Sequence, residues 1–120
     1  MHEFSLCRAL LGQLERLARD QGAAQVIRVT LRVGPLSGAE PKLLRDAFPL
    51  ASEGSLAEGA ELVIETVPVL VYCPACQTDS EASPNDLRCR RCGAADTQLR
   101  GGDELLLVSA DLRTEPAIQT

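Results

Sequence analysis

Two C-x-x-C pairs limit what this chain can fold into more than any other feature: "CPAC" at Cys73 and Cys76, and "CRRC" at Cys89 and Cys92. Two residues between cysteines let both thiolates of a knuckle face one ion while backbone amides hydrogen-bond to sulfur. The twelve residues between the pairs are close to the spacing of zinc ribbons. Four thiolates on Zn(II) fill a tetrahedron, so the ion they predict is structural, with no position left for an activated water. Such a site carries a formal charge of about −2, which Arg88, Arg90 and Arg91 are placed to offset. A rubredoxin-like iron site and a redox dithiol are the alternatives.

Around this module the apolar pattern is regular. Leu6, Leu10, Leu11, Leu14, Leu17 and Ala18 recur at three- and four-residue steps and predict an amphipathic helix over 3–21, stopped at Gly22. "QVIRVTLRV" alternates Ile27, Val29, Leu31 and Val33 against polar residues, a strand with one buried face. Pro41 suits the first position of a second helix with Leu43, Leu44, Ala47 and Phe48 on its buried face, and Pro49 should kink or end it. "AELVIETVPVLV" reads as one strand whose later half Pro68 demotes to an edge or bulge. From residue 72 to about 101 the apolar periodicity disappears. "DELLLVSADL" then predicts a strand buried on both sides, with Leu105 and Leu107 on one face and Leu106 and Val108 on the other. If the strands before and after the module are sheet neighbours, it leaves the sheet as a knob on two adjacent stalks.

The expected fold is therefore α+β: a small domain of two helices and a three-stranded sheet, with an inserted zinc-ribbon module. The domain is assigned to 1–71 plus 102–120 and the module to 72–101. With two Phe, one Tyr and no Trp, the core must be built from Leu, Val, Ile and Ala. The same shortage of stacking aromatics, together with a net charge of −5, argues against nucleic acid. Glu3, Arg8 and Glu15 interrupt any signal-peptide apolar region, and no run is long enough to span a membrane. The expected location is cytoplasmic, where paired cysteines serve metals more often than disulfides. The fifth cysteine, Cys7, falls on the apolar stripe of the first helix and reads as a small buried residue rather than a reactive thiol.

His2, the only histidine, stands directly behind Met1. Its imidazole Nδ1 and its own amide nitrogen close a six-membered ring on a metal, and that amide with the Met1 amine closes a five-membered one. The Glu3 amide or a donor from elsewhere supplies a fourth ligand. Amine, amide and imidazole nitrogens in one plane suit Ni(II) or Cu(II), whereas Zn(II) has no preference for that plane. The competing reading is an uninvolved imidazole on a frayed terminus.

The opening "MHEFSLCRAL", the "GPLSGAEPKLLRDAF" turn and helix, "SLAEGAEL", the paired cysteine motifs and "GDELLLVSADL" together resemble the HypA/HybF family of hydrogenase nickel-incorporation proteins, over nearly the whole chain. The resemblance implies a metallochaperone that is not an enzyme. Its Ni(II) cargo would bind at Met1, His2 and Glu3, its structural Zn(II) at Cys73, Cys76, Cys89 and Cys92. The implied partners are a nickel-handling GTPase accessory protein and the [NiFe]-hydrogenase large-subunit precursor. Some relatives are similar in having further histidines near the knuckles, which this chain lacks.

Two rival functions remain at this level. An enzyme is disfavoured by the closed thiolate site and the lack of a second histidine for general-base work. "GPLSG" is not a phosphate loop, because no Gly-Lys-Ser/Thr follows it. A zinc-ribbon adaptor that binds a protein partner without handling nickel is the second rival.

Overall fold

A computed structural model describes residues 2–114. The elements, in chain order, are α1 (His2–Gln21), β1 (Ala23–Val33), α2 (Pro41–Ser52), β2 (Glu61–Thr66), β3 (Val69–Cys73), β4 (Thr78–Ala82), β5 (Gln98–Gly101) and β6 (Leu105–Thr114). They form two three-stranded sheets, ordered β2-β1-β6 and β4-β3-β5. The chain divides into two compact units. One takes the chain up to Leu31, Glu40–Ile64 and the chain from Leu107 onward; the other takes Arg32–Ala39 and Glu65–Leu106.

In the first unit α1 buries Cys7, Leu10, Leu11, Leu14 and Ala18, the stripe its spacing predicts. Gly22 ends the helix, its amide donating to the Arg19 carbonyl at 3.2 Å. Val26 and Val29 of β1 are fully buried, so the alternation slips one place and leaves Ile27, the expected core residue, only half-buried. On α2 the buried residues are Leu44, Ala47, Phe48 and Ser52; Leu43, placed in the core from sequence, is 47% exposed. A helical stripe is set by the 100° step, and Leu44, Ala47 and Phe48 already fill the inward arc, which leaves Leu43 beside it.

Pro49 does not end α2, which runs on to Ser52. A proline forfeits one helical hydrogen bond. The buried Ser52 beyond it, whose hydroxyl donates to the Pro49 carbonyl at 3.4 Å, shows that packing carries the helix through its last turn. At the other end Pro41 holds the first position, and the Glu40 side chain caps the helix by accepting from the Lys42 amide.

The β2-β1-β6 order puts β1 in the middle, so the strands before and after the cysteine module flank β1 and are not neighbours of each other. Arg28 of β1 bridges to Glu61 of β2 and Asp111 of β6, both at 2.9 Å, on a solvated face. The two-sided burial expected of β6 does not occur: Leu106 and Val108 are exposed, while Leu105 and Leu107 are half-buried. An outer strand of an open sheet has one covered face, and a Leu-rich composition cannot create a second.

In the second unit the run read as one strand is two. β2 ends at Thr66 and β3 begins at Val69, in the other sheet. Pro68 cannot donate to a ladder, and the chain changes sheets there. β3 pairs antiparallel with β4, Val69 opposite Ala82 and Cys73 opposite Thr78, and with β5, Tyr72 opposite Gln98. Val69, Val71 and Ala82, with Leu36 packed on them, form the unit's small core. The "GPLSG" segment is a turn, its Ser37 amide bonded to the Gly34 carbonyl. It passes so close to Gly102 that a Cβ on Gly34 would collide with the Gly102 backbone, while the Leu36 amide donates to the Gly102 carbonyl at 2.6 Å.

Candidate metal centre

β3 delivers Cys73 at its last position, and the chain turns through Cys76 into β4. The Gln77 amide donates to the Cys73 carbonyl at 2.7 Å, with Gln77 at a left-handed φ of 55°. The second pair repeats this geometry: the Gly93 amide donates to the Cys89 carbonyl at 2.8 Å, and Gly93 has a φ of 77°. Glycine takes that conformation without steric penalty, so Gly93 is the better of the two residues for the turn. Each first cysteine accepts an amide hydrogen bond at its sulfur, Cys73 from Cys76 and Cys89 from Arg91, both at 3.4 Å.

These two knuckles bring all four sulfurs within 4.8 Å of one another. Tetrahedral zinc with bonds of about 2.3 Å requires sulfurs about 3.8 Å apart. The Cys73–Cys92 and Cys76–Cys89 sulfur separations are 3.7 and 3.9 Å. The donor set therefore fits a Zn(II) ion in size as well as chemistry, and bound there the ion would supply a cross-link between β3 and the second knuckle. Among the described residues this is the one group of three or more His, Cys, Asp or Glu side chains close enough to share an ion. Cys73 and Cys89 are buried and Cys92 is exposed, so the site has a dry side and an open side.

Amide hydrogen bonds from Cys92 and then Arg91 stabilise the Cys89 thiolate and bring its pKa down to about 6. The hydrogen bond with Cys92 and then burial push the Cys76 thiol up to about 12. The Cys89 sulfur is ready to ionise near neutrality, whereas ionisation of Cys76 waits for a cation. Metal binding must consequently release protons and weaken as pH falls.

The nearby arginines are not equivalent. Arg88 is committed to Asp86, whose two carboxylate oxygens accept from its Nε and terminal nitrogen at 2.9 Å each. That pair, helped by the Arg88 amide, lowers the Asp86 pKa to about 2. Arg88 thus spends its charge on Asp86, while Arg90 and Arg91, between Cys89 and Cys92, are exposed. Asp86 was absent from the sequence reading; its signal is the D-x-R spacing just before the second pair.

Of the three terminal residues expected to hold nickel, Met1 lies outside the described residues. His2 opens α1 and is exposed. Glu3, in the same turn, accepts a hydrogen bond from the Glu40 amide at 3.2 Å through its carboxylate. Glu40 was also missed from sequence, although an acidic residue directly before a first-position proline marks a helix cap. Cys7 is 1% exposed, near the Leu44 carbonyl, and burial, then the Glu3 charge, raise its pKa; it is the inert core thiol expected.

A family model described as hydrogenase/urease nickel incorporation, metallochaperone, hypA matches residues 1–112. The chain belongs to the HypA family. It is 48% identical over 114 residues to the hydrogenase maturation factor HypA of Nitrosospira multiformis, covering 95% of this chain and 99% of that one. The HypA maturation factor of Aquifex aeolicus is 38% identical, with 96% and 100% covered. The fold agrees: the solution structure of the Ni metallochaperone HypA from Helicobacter pylori superposes with a TM-score of 0.69 at 26% identity, covering 94% of this chain and 98% of the other. Among the described residues no HypA helix here is long and apolar enough to cross a membrane.

Proposed function

We propose that this protein is a nickel metallochaperone that binds Ni(II) at Met1, His2 and Glu3 and helps insert it into the [NiFe]-hydrogenase large-subunit precursor, together with a nickel-handling GTPase. The observation that carries the reading is the family match, which runs from residue 1 and so includes the M-H-E start as well as the cysteine module. The structure supports it physically. His2 is solvent-exposed in the first turn of α1, where the backbone N–H groups have no partner within the helix. A metal that takes amide nitrogens there breaks no helical hydrogen bond.

The division of labour is part of the proposal: cargo on the domain of residues 1–71 and 102–120, structural Zn(II) at Cys73, Cys76, Cys89 and Cys92 in the module of 72–101. A terminal chelate open to solvent exchanges ligands readily, as a donor must, while a closed four-thiolate site does not. The protein acts in the cytoplasm and is not an enzyme; energy from nucleotide hydrolysis comes from the GTPase partner.

The test is hydrogenase maturation in cells at limiting nickel, comparing the wild-type chain with His2→Ala. Loss of active hydrogenase in the variant, restored by excess nickel and with zinc content unchanged, is expected. Full maturation by the variant at limiting nickel would move the assignment to a zinc-ribbon adaptor.

A further inference from the structure

The first turn of α1 is tied to the start of α2 by one bond, from the Glu40 amide to the Glu3 carboxylate at 3.2 Å. One turn further along both helices, the Cys7 sulfur lies 3.8 Å from the Leu44 carbonyl. Both pairs are 37 residues apart, so the helices run in the same direction with their turns in step. At the head of α2, Pro41 has no N–H, the Lys42 amide is capped by Glu40 itself, and the Glu40 amide is served by Glu3. A carboxylate at the amino end of a helix is also favoured by the helix dipole. Glu3 is half-buried, whereas His2 beside it is exposed.

We infer that Glu3 is a positioning residue: its carboxylate anchors the first turn of α1 to the start of α2 and does not serve as a nickel ligand. This rests on the proposed terminal nickel site and assigns the side chain of its third residue. A chain terminus frays unless tied down, and every residue that a metal must order weakens binding. An anchor one residue after His2 fixes the point from which Met1 and His2 would reach the ion. Glutamine retains an acceptor oxygen and can keep the anchor; alanine cannot.

The test uses zinc-loaded, untagged full-length protein and the variants Glu3→Gln, Glu3→Ala and His2→Ala. The chemical shift and hydrogen exchange of the Glu40 amide are followed without nickel, then Ni(II) affinity by calorimetry. The expected result is that Glu3→Ala exposes the Glu40 amide and weakens nickel about three- to tenfold, the worth of one hydrogen bond, while Glu3→Gln keeps the amide protected and stays within about twofold of wild type. Equal loss of nickel affinity in Glu3→Gln and Glu3→Ala would mean that the carboxylate itself ligates, and would overturn the inference. So would a Glu40 amide indifferent to Glu3→Ala. Wild-type nickel binding by His2→Ala would instead sink the terminal nickel site, with the amide data still deciding the anchor.

Discussion

Removing the metal from the four-cysteine site should unfold the unit around it and leave the helices standing. The apolar core of that unit consists of Val69, Val71 and Ala82 with Leu36 against them. Two fully buried valines contribute about 1.5–3 kcal/mol each, or about 3–6 kcal/mol together. A structural zinc in a small module typically contributes about 10 kcal/mol or more. The metal term exceeds the core term, so β3, β4, β5 and the knuckles should lose order when a chelator strips the site. The helical unit has its own core in Leu10, Leu11, Leu14, Leu44 and Phe48 and no residue at the metal. In a chelator titration of the intact chain, far-UV helix signal should persist while amide resonances of residues 69–101 collapse to unfolded positions in step with zinc release. Persistent hydrogen-exchange protection of the Val71 amide in the metal-free protein would show that the small core suffices, and would refute the reasoning.

The phase of α2 predicts opposite outcomes at adjacent leucines. Leu44→Ala, at 1% exposure, should cost about 2–5 kcal/mol in chemical denaturation, and Leu43→Ala, at 47%, no more than about 0.5 kcal/mol. Zinc affinity measured by competition should fall steadily as pH drops from 7.5 towards 5.5, because Cys89, held at about 6, and Cys76, pushed up to about 12, must give up protons to bind; a flat profile would contradict the thiolate ligand set. The Asp86 carboxyl, followed by NMR, should titrate near 2, and Arg88→Ala should raise it only part of the way to the ordinary carboxylate range, because the amide of residue 88 still donates to it. Since the folded value is the lower one, any stability this pair supplies is present above about pH 4 and lost as pH falls through about 2.

What could be read from the sequence divides along physical lines. The α1 stripe and the cysteine knuckles were legible because each depends on local spacing: a helical period in one case, two ligands per turn in the other. β4 and β5 were not legible, since "TDSEA" and "QLRG" have no strand-like apolar alternation and take their extended form from pairing with β3. The change of sheet at Pro68 was seen only as a weakened strand, because a proline reports a lost donor and not where the chain goes next. Leu43, Leu106 and Val108 mislead for a common reason: hydrophobicity says a side chain would gain from burial, while neighbours decide whether a covering surface exists. The contacts of Glu3 with Glu40 and of Arg88 with Asp86 are polar, and no apolar pattern announces them.

The central claim is that the amino terminus carries nickel. Its most direct test is a Ni(II) titration of zinc-loaded protein with nothing preceding Met1, beside His2→Ala, following heat and the visible absorption that separates square-planar from six-coordinate nickel. A terminal nickel site gives saturable binding that His2→Ala abolishes with zinc and fold unchanged, and that weakens on mild acidification because amine and imidazole protons compete. Identical binding in the two proteins, or none in either, would contradict it.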